Sequence, residues 1–123
     1  MSFSIVATAT SVLGFVLGVG WLFFGKLLVR RWGIESTAGT MLVGRRLGAA
    51  YVGIALVLVL GRSAPPSALR QAVCVGLLVA MVVLAALGLF EFKARRANAG
   101  ILVSVGAEIV LAAGFAWVLI FEA

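Results

Sequence analysis

This chain of 123 residues contains no histidine, a single cysteine, two prolines and only four acids. Without histidine, and with Cys74 as the sole thiol, the usual ligand sets for zinc or haem are missing and no intrachain disulfide can form. No metal site and no cofactor are therefore expected. There is also no flavin motif and no cysteine pair, so a catalytic quinone-linked redox subunit finds no support, and the expectation is a protein that is not an enzyme. The first 25 positions hold no Lys or Arg, and so lack the basic n-region of a cleavable signal peptide. The first apolar segment is expected to be retained.

What the chain does have is apolar surface. Apolar residues make up 64% of it and charged residues 11%, with a mean hydropathy of +1.26, far outside the range of globular proteins. A span needs about 20 residues, so the length accommodates four spans with short connections and no soluble catalytic domain. Lys and Arg number ten, an excess that in a soluble protein would point to nucleic acid. Here every basic residue lies at or near the end of an apolar run, so topology and lipid headgroups explain the charge and no nucleic-acid partner is expected. The expected fold is all-α: one domain, an antiparallel bundle of four transmembrane helices over about 3–25, 38–61, 68–90 and 98–121.

The first run carries small residues at alternating steps of four and three, Ala7, Ser11, Gly14 and Gly18, continuing through Trp21 to Gly25. That spacing keeps one helix face thin enough for a neighbour to approach closely. The connection after it is amphipathic, with Lys26, Arg30 and Arg31 set among Leu27, Leu28 and Val29, and Gly33 is a helix stop. Ser36 or Thr37 offers an N-cap for the second run, which draws Arg45 and Arg46 about two turns inside that helix. Ser63-Ala-Pro-Pro-Ser67 is a turn, because its prolines cannot donate to a helix, and Ser67 can cap the third run. Lys93, Arg95 and Arg96 close that run, with Glu91 near enough to pair locally, and Asn98 opens the fourth. Trp21, Trp32 and Trp117 read as members of an interfacial belt, and Cys74 as a packing residue.

Eight cations flank the connections between runs one and two and between three and four, whereas only Arg62 and Arg70 flank the other side. The positive-inside rule then puts both basic connections in the cytoplasm and both termini outside, in the bacterial inner membrane.

The most informative residue is Glu108, deep inside the fourth run. An acid near the bilayer centre costs about 2.5–3.5 kcal/mol on insertion scales, so it should face the bundle and find a partner. Gly100, Ser104, Glu108, Ala112 and Ala116 are spaced by four and form one stripe, which puts Glu108 on the small-residue side. Matching depths along the helices favours Arg46 or Arg45 as its partner, with Tyr51 as an alternative donor and Ser104 as a local one. Two readings stay open. One is a structural latch. The other is a protonatable site lining a cavity, because burial disfavours the ionised form of a carboxyl unless a cation offsets it. Gly14, Gly18, Gly48, Gly53 and Gly100 are candidate helix-packing positions.

The order of a charge-free first helix, the Arg31-Trp32-Gly33 turn, a glycine-rich second helix carrying Arg45-Arg46-Leu-Gly-Ala-Ala-Tyr-Val-Gly53 and two further spans resembles the DoxX-like group of small four-helix membrane proteins. The resemblance covers nearly the whole chain. It implies an accessory membrane subunit of the kind that group includes, and it carries over no residue roles. A single embedded glutamate is also similar to small multidrug-resistance transporters, but there the acid belongs to the first helix and here to the fourth. The expected function is an accessory or structural subunit of a membrane complex, with a lipid or hydrophobic ligand in the bundle. The alternative is a small oligomeric transporter or proton-coupled carrier using Glu108. The expected partners are membrane lipid and a larger complex or further copies of the chain.

Overall fold

The computed structural model describes residues 2–122. The chain forms α1 (Phe3–Phe23), α2 (Gly25–Arg31), α3 (Ala38–Leu60), α4 (Ala68–Lys93) and α5 (Ile101–Phe121). Four of these, α1, α3, α4 and α5, are long and apolar enough to cross a membrane. The fold is an all-α integral membrane bundle, as the apolar runs predict. At 1.5 Å per residue the 21 residues of α1 span about 31 Å, the thickness of a hydrocarbon core.

Local chemistry sets the boundaries. Ser2, Thr37 and Ser67 each accept a hydrogen bond from the backbone N–H three residues on, and Thr40 answers Thr37 to complete a capping box. The amphipathic connection is itself helical, α2, separated from α1 only by Phe24. It ends at Gly33, whose φ of 75° suits glycine, while the Gly33 and Ile34 amides donate to Arg30 and Val29. This is a Schellman cap. The same cap ends α4: the amides of Arg95 and Arg96 donate to Phe92 and Glu91, and Arg95 takes the left-handed position at φ 62°. For a residue with a Cβ that conformation costs about 1–2 kcal/mol. The third span runs on to Lys93 and the fourth begins only at Ile101, because residues 94–100 are spent on this cap and on a turn in which Asn98 Oδ1 accepts the Gly100 N–H at 2.9 Å.

The helices pack as two pairs, α1 along α3 and α4 along α5, and the pairs join through α1 and α5. Although consecutive in the chain, α3 and α4 do not pack along one another. The α1·α3 seam is the small-residue stripe: Gly14 lies against Ala55, Gly18 against Val52 and Gly48, and Ser11 Oγ donates to the Ala55 carbonyl at 3.0 Å. Trp21 is buried within the bundle. Its ring is wedged over Gly44, where a Cβ would stand 2.5 Å from it, and the residue is only 7% exposed. The stripe that makes α1 thin carries Trp21 into the seam on its own periodicity. At the end of the bundle holding the chain termini, Phe3, Val6 and Ala7 of α1 meet Leu58, Cys74, Phe115 and Val118, so all four long helices share one apolar core. Cys74 packs there as a small apolar residue, as expected.

Candidate functional site in the bundle interior

Helix α5 buries Ile101, Val105, Ala112 and Phe115, and Glu108 sits in the middle of the face they define. The residue is half-buried, and its carboxyl oxygen Oε2 is fully buried with no hydrogen-bond donor reaching it among the described residues. Leaving such a group unpaired costs about 1–3 kcal/mol, more where it is charged. Tyr51, half-buried on α3, lies within electrostatic reach of this carboxyl. Ser104, one turn away on the same stripe, is half-buried too. Neither hydroxyl donates to Oε2.

The arginines do not come to this site. Arg45 and Arg46 are both exposed, and the ion pair among the described residues joins Arg96 Nε to Glu91 at 2.5 Å on the surface, the local pairing expected there. The reason is azimuth, not depth. The packing face of α3 runs through Gly44, Gly48, Ala55 and Leu58. Arg46 stands two positions from Gly48, about 200° around the helix, and therefore points away from the bundle. Arg45, about 60° from Gly48, lies at the edge of that face with its side chain outward. Tyr51, three positions beyond Gly48, stays on the inner side.

The packing glycines divide in the same way. A Cβ on Gly18 would stand 2.9 Å from the Gly48 carbonyl oxygen, and one on Gly48 2.7 Å from that of Gly18. Gly100 abuts the carbonyl of Arg31. A Cβ on Gly53 would meet nothing within 4 Å among the described residues; five positions from Gly48, it has rotated off the seam.

Two polar features have no counterpart in the sequence reading. At the basic end, the turn before α5 docks on the end of α2: the Asn98 N–H donates to the Trp32 carbonyl at 2.8 Å, and the Asn98 side chain lies against Gly33. Below this contact is an open cleft of about 570 Å³ lined by Lys93, Arg95 and Arg96. At the opposite end Arg70 donates to the carbonyls of Ala64 and Glu122 at 3.0 and 3.2 Å and stacks 4.6 Å over the Phe3 ring. It thereby joins the α3–α4 loop to both terminal helices. No spacing signals these contacts, because each joins segments far apart in the chain.

No family model, curated protein or solved structure matches the chain.

Proposed function

We propose that the chain is a non-enzymatic accessory or structural subunit of a membrane complex, in which Glu108 accepts a hydrogen bond from a lipid-phase ligand or a neighbouring subunit. The observation that supports this reading is the buried Glu108 Oε2, which no donor among the described residues reaches. A latch needs its partner in the same chain, and Arg45 and Arg46 of α3 point elsewhere. A buried acceptor without an internal donor favours a donor supplied from outside. The DoxX-like resemblance, carried by Arg31 to Gly33 and Arg45 to Gly53, agrees with an accessory subunit. The charge bias supports a bacterial inner-membrane setting with the basic end cytoplasmic and both termini outside.

The second reading is a small oligomeric carrier, favoured by Tyr51 and Glu108 sharing the interior without a cation between them. One acid makes no relay, so this reading requires several copies of the chain. The test is purification in mild detergent of wild type, Glu108→Gln and Glu108→Leu. The accessory reading predicts that wild type retains a larger partner or a hydrophobic ligand and that Glu108→Leu loses it without losing stability, since an apolar side chain removes the unpaired oxygen. Homo-oligomers with an acid-dependent flux abolished in Glu108→Gln would instead establish the carrier.

A further inference from the structure

We propose that the cleft beneath the α4–α5 turn binds a phosphate-bearing anionic group, with the headgroup of an anionic membrane lipid as the source that the location favours. Two Schellman caps line the same cleft. One presents Gly33 at its left-handed position, the usual solution; the other presents Arg95. In a chain with 15 glycines, a left-handed arginine is maintained against the local conformational preference, and it puts a guanidinium where glycine would leave the wall bare. Lys93 and Arg96 share that wall. Arg96 is engaged by Glu91, whereas neither Lys93 nor Arg95 has an acidic partner within ion-pair distance among the described residues. Gly33 and Asn98 line the cleft as well, and the Asn98 side-chain amide adds a donor.

Charge and position define the ligand. Eight of the ten cations lie at this end, against only Glu35 and Glu91. Guanidinium and ammonium groups lining an open cleft suit a phosphate, which accepts several charge-assisted hydrogen bonds at once. The cleft lies where the spans α4 and α5 meet, the end of a span being where lipid headgroups are expected, and its volume of about 570 Å³ is that of a small-molecule site. The Glu108 carboxyl plays no part in it, so the two sites succeed or fail independently.

The test uses the full chain in neutral detergent, with phosphatidylglycerol, phosphatidylcholine or inorganic phosphate as probes. Bound lipid is counted by native mass spectrometry and thermal stability is read alongside. Wild type should retain phosphatidylglycerol in preference to phosphatidylcholine. Lys93→Gln with Arg95→Gln should weaken that retention about tenfold, while Arg45→Gln with Arg46→Gln, which removes equal charge from the same end, should leave it within about twofold. Arg95→Gly should melt higher without lipid, because the cap is relieved, and yet lose the stabilisation by phosphatidylglycerol. Competition by millimolar inorganic phosphate would identify a free phosphate as the ligand of the cleft; protection by the lipid alone would identify the headgroup. Equal weakening in both double variants, or unchanged retention in Lys93→Gln with Arg95→Gln, would overturn the proposal.

Discussion

Gly18 and Gly48 meet backbone to backbone, each so close that a methyl group on it would stand within 2.9 Å of the other's carbonyl oxygen. This crossing fixes how α1 and α3 approach, and with it the side of α3 that faces the interior. Gly48→Ala therefore forces the helices apart. Overpacking of this kind costs about 1–3 kcal/mol, which exceeds the roughly 1 kcal/mol by which alanine favours the helix over glycine. Gly53→Ala meets open space and should instead stabilise by about 0.5–1 kcal/mol. Unfolding of the two variants in mixed micelles should move in opposite directions; a shift of the same sign would mean that the crossing is not the tight point of the bundle.

A hydrogen bond reinforces the same seam. Ser11, 1% exposed, donates to the Ala55 carbonyl, a contact between helices that lipid cannot replace with water. Interhelical bonds in membranes average about 0.6 kcal/mol, so Ser11→Ala should produce a small loss of stability. Ser11→Gly should lose more, since it adds the helix penalty of glycine. A melting temperature unchanged in both variants would count against the bond.

At the other end of the chain's contacts, Arg70 joins three separated segments through Ala64, Glu122 and Phe3. Arg70→Gln should cost about 1–2 kcal/mol and loosen the end of α5, seen as faster hydrogen exchange at residues 118–122. Arg70→Lys should recover only part of this, because an ammonium cannot reproduce the fork of a guanidinium. Unaltered exchange there in Arg70→Gln would show that the clamp contributes nothing.

The sequence was most legible where a signal repeats along one helix. Four apolar runs, the caps at Thr37 and Ser67, the stop at Gly33 and the stripe from Ala7 to Gly25 all report local geometry, and the fold follows from them. The same logic places Glu108 on the inner face, through its position between Ser104 and Ala112. Rotation of one helix against another was not legible. Depth along α3 matches Arg46 to Glu108, but a difference of two positions from Gly48 turns it to the far side. Gly53 behaves in the same way: residue type suggests a packing role that only the azimuth of the seam decides. The Arg70 clamp and the docking of Asn98 on Trp32 are tertiary contacts with no periodic trace.

The most direct measurement of the central claim, that Glu108 does not pair with the arginines of α3, is a double-mutant cycle on stability between Glu108→Gln and the paired change Arg45→Gln with Arg46→Gln. The account predicts additivity, with a coupling energy within about 0.5 kcal/mol of zero. A coupling above about 1 kcal/mol, with both arms destabilised, would contradict it and make Glu108 and an arginine of α3 a structural latch.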